Sequence, residues 1–233
     1  MRESPDKSDL LERYEATGDE AAYLEALPLY EAAAASEADV GDLLGYGYLL
    51  ECRGRDLLKL AITQYERAIA LDPEDDKPRY QLISARAALG DVDREVGIYR
   101  DRLEASSGSV REYRLLATAY LAAREYDRAL DVIGRGLALA PDDRRLIDCR
   151  AEARSRQDPE GALADWRRAL ELDSDDIGPL YMSAFLLERL GRLDEAIHAW
   201  HSIIKWNEAR GYKLQTEWPK QELQKLESKR NGR

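Results

Sequence analysis

Apolar and small residues return along this chain on two superposed periods. Locally they recur every three to four positions, as on a helix with one buried face. Over longer distances the whole arrangement repeats. Tyr30, Tyr65, Tyr99, Ile133, Trp166 and Trp200 are spaced 35, 34, 34, 33 and 34 residues apart. Four residues before each stands Ala26, Ala61, Glu95, Ala129, Ala162 or Ala196, and three after each stands Ala33, Ala68, Arg102, Gly136, Ala169 or Ile203. Small, large and small residues at these offsets share one helix face, so each repeat predicts a helix that another helix approaches closely. A second ladder of small residues lies upstream, at Gly47, Ala117, Ala151 and Ala184, with Ile83 at the remaining step. It predicts a first helix in every repeat.

The pattern predicts helical hairpins at 8–35, 40–71, 76–106, 110–139, 143–172 and 177–208. Gly18, Gly54, Gly90, Asp158-Pro159 and Gly191 mark turns, and Pro73 and Pro141 each follow an apolar helical run that a proline would stop. One such hairpin cannot bury its own apolar stripe, so neighbours must stack and share it. Glu95 and Arg102 break the small-residue rule. They predict a poorer contact in the hairpin at 76–106, or a one-residue shift that puts Val96 inside. After Asn207 the pattern changes, and a further helix is predicted from about Trp218-Pro219. Trp218, Leu223 and Leu226 would cover the open end of the last hairpin, with Lys220, Lys225, Lys229 and Arg230 in water. The organisation read from sequence is a divergent acidic hairpin at 1–40, five repeats at 41–210 and a C-terminal helix with a basic tail at 211–233.

These residues resemble the tetratricopeptide repeat, a 34-residue helix-turn-helix unit. Residues 110–143 are the clearest copy, with Tyr113, Leu116, Ala117 and Tyr120 in the first helix, then Ala129, Ile133, Gly136 and Pro141. Residues 177–210 follow closely, with Leu180, Ala184, Leu187, Gly191, Ala196 and Trp200. The resemblance implies an all-α, right-handed superhelical solenoid whose first helices line a concave groove. It implies a non-enzymatic protein- or peptide-binding scaffold. The inward positions would carry Tyr48, Lys77, Tyr80, Ser84, Arg111, Arg114, Thr118, Arg145, Tyr181, Phe185 and Arg189. Arginine forks hold carboxylates with paired hydrogen bonds, and aromatics add contact area at little entropic cost. An acidic segment, or one ending in a free carboxylate, is the partner these residues predict, with pairing of the arginines to Asp148 or Glu152 as the competing use of those charges. The family's carboxylate clamp for chaperone C-termini uses asparagines at set positions. Here Ser84 and Thr118 stand there, so that role is not expected.

Charge sharpens the picture. The chain has 233 residues and a net charge of −11. That whole surplus lies within residues 1–75, whereas the segment from Lys205 onward is basic. An acidic chain is a poor ligand for duplex DNA. No apolar stretch is long enough to span a membrane, and MRESPDKSDLLERYE lacks the apolar centre of a secretory signal, so a cytoplasmic location is expected. Cys52 and Cys149 do not form a disulfide framework and are not spaced for zinc. Phosphate-loop and nucleophile-elbow motifs are absent, and no cofactor is implied. Glu195, His198 and His201 share one helix face, but a metal would need ligands from elsewhere, and the face opposite Ala196 and Trp200 is expected to be solvated. Two other uses of the chain therefore stand behind the groove. One is a structural subunit acting through its ends, its convex face or a C-terminal helix that joins copies. The other, resting on the histidine pair alone, is a metal-dependent enzyme.

Overall fold

The computed structural model describes residues 6–35, 39–51, 54–105 and 108–232. Among them are thirteen α-helices, joined by short turns, and no strand. The chain divides into two compact units, Met1–Ala105 and Ser106–Arg233. Cys52 lies outside the described residues.

The first unit contains α1 (Lys7–Thr17), α2 (Glu20–Ala35), α3 (Val40–Glu51), α4 (Arg55–Leu71), α5 (Lys77–Leu89) and α6 (Asp93–Ala105). Gly18, Gly54 and Gly90 have positive φ at the predicted turns, a conformation that costs a residue with a Cβ about 1–2 kcal/mol. Ala26, Ala61 and Ala68 are fully or almost fully buried beside Tyr30 and Tyr65. Glycine permits close approach of α3 to the neighbouring tyrosine rings. A Cβ at Gly45 would lie 2.3 Å from the Tyr30 ring, and one at Gly47 would lie 2.5 Å from the Tyr65 ring. The misfit at Glu95 resolves differently from the register shift that its sequence position suggests. Glu95 faces inward and is 2% exposed, while Val96 is only half buried. Its carboxylate meets Arg86 Nε of α5 at 2.8 Å. Arg86 is itself buried and also holds Glu66 at 2.7 Å and Asp91 at 3.0 Å. The guanidinium thus offsets a carboxylate placed where other repeats have alanine. Arg102 leaves the contact altogether and lies over the Tyr99 ring, 5.8 Å from its centre.

The second unit contains α7 (Val110–Ala122), α8 (Tyr126–Leu139), α9 (Arg144–Arg154), α10 (Pro159–Leu172), α11 (Gly178–Arg189), α12 (Leu193–Ala209) and α13 (Glu217–Arg230). Ala129, Ala162 and Ala196 are fully buried, as are Ile133 and Trp200, with Trp166 almost so. A Cβ at Gly136 would meet Leu146 at 2.6 Å and Tyr113 at 2.9 Å. Ser109, Asp143 and Asp158 cap α7, α9 and α10 by accepting from the backbone N–H of Glu112, Leu146 and Gly161. Asp165 of α10 is buried, with Arg150 and Arg154 of α9 both on its carboxylate at 2.7–3.0 Å. A 3-10 turn at Leu214–Thr216 leads into α13. Asn207 Nδ2 donates to the Gln215 carbonyl at 3.1 Å. Leu226 is buried in the same apolar cluster as Ala196, Trp200 and Ile203, with Leu223 packed against it.

Candidate functional site

The repeat sets equivalent residues of neighbouring first helices beside one another, and in the second unit the side chains confirm that arrangement. Arg114 of α7 reaches Asp143 at the start of α9, its Nε donating to Oδ2 at 2.9 Å. Thr118 Oγ1 lies 3.9 Å from Cys149 Sγ. The same holds between α9 and α11. Arg144 pairs with Asp176 at 2.6 Å near the helix starts, and Arg189 Nη2 donates to the Ser155 carbonyl at 2.7 Å near the helix ends. Helices α7, α9 and α11 therefore run side by side in one direction. Arg114, Asp148 and Tyr181 occupy equivalent places, as do Thr118, Glu152 and Phe185 one turn further on.

The sequence-predicted residues divide between the units. Tyr48, Lys77, Tyr80 and Ser84 are on α3 and α5 of the first unit, where the two tyrosines are half buried and Lys77 and Ser84 are exposed. The second unit brings together Arg111, Arg114, Thr118, Arg145, Tyr181, Phe185 and Arg189. Arg145 acts on the Asp148 and Glu152 charges, and two of the other arginines have different partners. Arg114 commits its fork to Asp143, itself the cap of α9. Arg189 caps the end of α9 through Ser155. Arg111 and Arg145 also interact within the chain. The Asp143–Asp148 stretch carries this face's polar character. Trp166 Nε1 donates to Asp148 Oδ1 at 3.0 Å. Burial pushes the Asp148 carboxyl above the usual carboxylate range, against the pull of Arg145 and Arg144. Glu152 is raised in the same sense, by the protein around it and then by the Asp148 charge. Its side chain still reaches solvent, and it forms no ion pair among the described residues. The Cys149 thiol between them is buried and pushed up to about 12; as a protonated thiol it is a weak nucleophile.

Tyr181 and Phe185 belong to an aromatic cluster completed by the C-terminal segment. Trp218 stacks on Tyr181 with centroids 6.0 Å apart and a 17° interplanar angle. It meets Phe185 at 5.8 Å and Trp200 edge-on at 5.2 Å. Trp200 is the buried floor, and its Nε1 donates to Glu188 Oε1 at 2.6 Å. Phe185 remains 42% exposed, Met182 40% and Trp218 39%. Sequence reasoning placed Trp218 over the end of the last hairpin together with Leu223 and Leu226. Those two leucines do pack there, and Trp218 covers both helices of the hairpin, meeting Trp200 of α12 and extending onto the α11 face at Tyr181 and Phe185. The signal for this was present but ambiguous: a tryptophan in the first turn of a helix reads equally as cap or as contact.

The histidine pair faces away from this surface chemistry. Glu195 is held by Arg192 at 2.6 Å. His201 Nε2 is 3.8 Å from Glu227. His198 lines a cleft of about 520 Å³ with Glu160, Leu163, Leu187 and Arg192. Among the described residues no group of three or more His, Cys, Asp or Glu side chains is placed to hold a metal ion. No helix among them is long and apolar enough to cross a membrane.

No family model matches the chain. Human protein O-mannosyl-transferase TMTC1 is 27% identical over 146 residues, and tetratricopeptide repeat protein 37 of Xenopus laevis is 25% identical over 143. Each match covers 60% of this chain but only 16% and 9% of those proteins; the chain spans a small part of the curated relatives it resembles. Among solved structures, TTC0263, a thermophilic TPR protein of Thermus thermophilus, superposes with a TM-score of 0.58 at 22% identity, covering 80% of this chain and 98% of that one. With the 34-residue period, the buried small–large–small faces and the parallel first helices, that likeness gives the architecture its name: the chain has the tetratricopeptide-repeat fold.

Proposed function

We propose that this chain is a non-catalytic binding module that holds a peptide segment of a partner protein along the first-helix faces of α7, α9 and α11. The observation that carries this reading is the exposed Met182–Phe185–Trp218 surface. A helical unit that buries Trp166, Trp200 and Ile133 leaves these three partly in water, on the face that also collects polar groups. Clustered exposed apolar side chains of this kind mark contact surfaces, and aromatic anchors beside polar groups carry binding energy disproportionate to their area. The transferase named among the relatives is matched over 16% of its length. On this face the Cys149 thiol is buried and protonated, and Arg114 and Arg189 are engaged within the fold.

An acidic group on the segment remains the expected neighbour of Arg111 and Arg145 in the first turns of α7 and α9. It would join interactions those side chains already make, and it gains less at Arg114, whose fork Asp143 fills. The test is selection of peptides from a displayed library by the full chain, followed by anisotropy titration of the selected sequences. Phe185→Ala and Met182→Ala should weaken binding about tenfold or more with unchanged helical circular dichroism. Binding that survives both changes but is lost when Leu24, Leu60 or Leu139 on other surfaces is replaced by Glu would move function to the structural-subunit reading.

A further inference from the structure

We infer that the peptide segment carries a cationic side chain, arginine or lysine, seated over Phe185 and Trp218 with its charge at Glu152. The inference rests on the proposed peptide-binding reading and fixes the chemistry of the ligand at one position.

Phe185 and Glu152 are equivalent residues of adjacent parallel helices, offset by 33 in sequence. The helices are fastened together at both ends, by Arg144–Asp176 and by Arg189 on Ser155. Packed helices lie about 8–10 Å apart, so a guanidinium or ammonium group over the Phe185 ring is within reach of the Glu152 carboxylate. Phe185 and Trp218 present partly exposed rings, and ring faces attract cations within about 6 Å. Glu152 is the exposed carboxylate among Asp148, Glu152 and Glu188, and the other two add negative charge beside it. Glu188 is held by the Trp200 indole and Asp148 by the Trp166 indole. Arg189 is turned to the Ser155 carbonyl. Arg145, two turns earlier on α9, pulls on Glu152 less strongly than burial and the Asp148 charge act against it. An exposed carboxylate in no ion pair among the described residues, on the helix next to the one that carries Phe185, suits an incoming cation and repels an incoming acid.

This polarity is opposite to the one the arginine-rich sequence suggests for the groove. The two sit at different heights on the same face. Arg111 and Arg145 lie in the first turns, and Glu152 with Phe185 lies about two turns further along. A segment satisfying both is bipolar, and its orientation is thereby fixed.

The experiment is a positional-scanning library of acetylated, amidated decapeptides, bound by the full chain and by three variants. The wild type should prefer Arg or Lys over norleucine at one position about tenfold. Glu152→Gln should cut that preference to about twofold. Phe185→Leu should lower retention of the cationic peptides more than of the norleucine ones. Glu152→Arg should reverse the preference to Asp or Glu. Glu152 is exposed, so unchanged circular dichroism and melting are expected for its variants. A preference for acid at every selective position, or a cation preference that survives both Glu152→Gln and Phe185→Leu, overturns the inference while leaving peptide binding intact. Retention of no peptide above scrambled controls removes the peptide-binding reading itself, and this inference with it.

Discussion

Helices α6 and α8 do the same job in their respective units and do it with opposite chemistry. Each is the second helix of a hairpin and must let its first helix come close. α8 meets the demand by deletion: Ala129 and Gly136 remove side-chain volume, and Val132, Ile133 and Leu137 fill what is left. α6 buries Glu95, Tyr99 and Leu103, one side chain per turn, and balances the carboxylate with Arg86. The difference teaches that the small-residue rule is one solution to close approach rather than the requirement itself. What the interface requires is that a buried charge be met by its counter-charge.

The comparison breaks most visibly if Arg86 is removed. Arg86→Ala leaves Glu95 buried without its cation and is expected to cost about 3–5 kcal/mol, read as a fall in the urea midpoint. Replacing the pair together, Arg86→Met with Glu95→Ala, should recover most of that loss. A double variant as unstable as the single one would mean that Arg86 acts through Glu66 and Asp91 instead. On the α8 side the lesion is steric. Gly136→Ala drives a methyl into Leu146 and Tyr113, and Ala129→Leu overfills a fully buried site; each is expected to cost about 1–3 kcal/mol. A midpoint unmoved by Ala129→Leu would remove the packing account of the repeat.

Acidity separates the two helices further. Burial raises the Glu95 carboxyl above its ordinary value, with Arg86 opposing. The folded state then holds that proton more tightly than the unfolded chain, for which about 4.3 is normal. Glu95 therefore favours folding at low pH and contributes progressively less as pH rises from the unfolded value through the raised folded one. Denaturation midpoints collected as pH rises from the ordinary carboxylate range should show this slope, and Glu95→Gln should flatten it. Hydrogen exchange ought to rank the helices the same way as their burial, with α6 amides exchanging faster than those of α8. Equal protection would show that the Arg86 cluster holds its helix as firmly as an apolar stripe does.

The smallest expected effect is at a turn. Gly90 and Gly191 follow α5 and α11 with φ of 80° and 71°, while the equivalent turn after α7 places Arg124 at φ 61°. Arg124→Gly should relieve left-handed strain and, after the extra freedom gained by the unfolded chain, stabilise by less than about 1 kcal/mol. Destabilisation by this change would reveal a role for the Arg124 side chain in holding the turn.

The sequence by itself determined the repeat. Periods of 33–35 residues, alanine or glycine at fixed offsets and glycine at turns encode helical hairpins, because each is a local steric requirement that one residue can meet. Only the tertiary structure decided how exceptions are absorbed. Proline stops many helices, yet α2 runs through Pro28 because Tyr23, Ala26, Tyr30 and Ala34 are buried on either side of it. Glu95 stays inside because Arg86, nine residues earlier in sequence, arrives beside it in space. The candidate face was half legible. Tyr181, Phe185 and the arginines could be placed by register, since register follows from period. Which charges remain available could not, because Arg114 is consumed by Asp143 twenty-nine residues away, and Trp218 reaches Tyr181 and Phe185 from a helix outside the repeat pattern. Ion pairing and ring stacking depend on distances between chain segments, and periodicity constrains only positions within them.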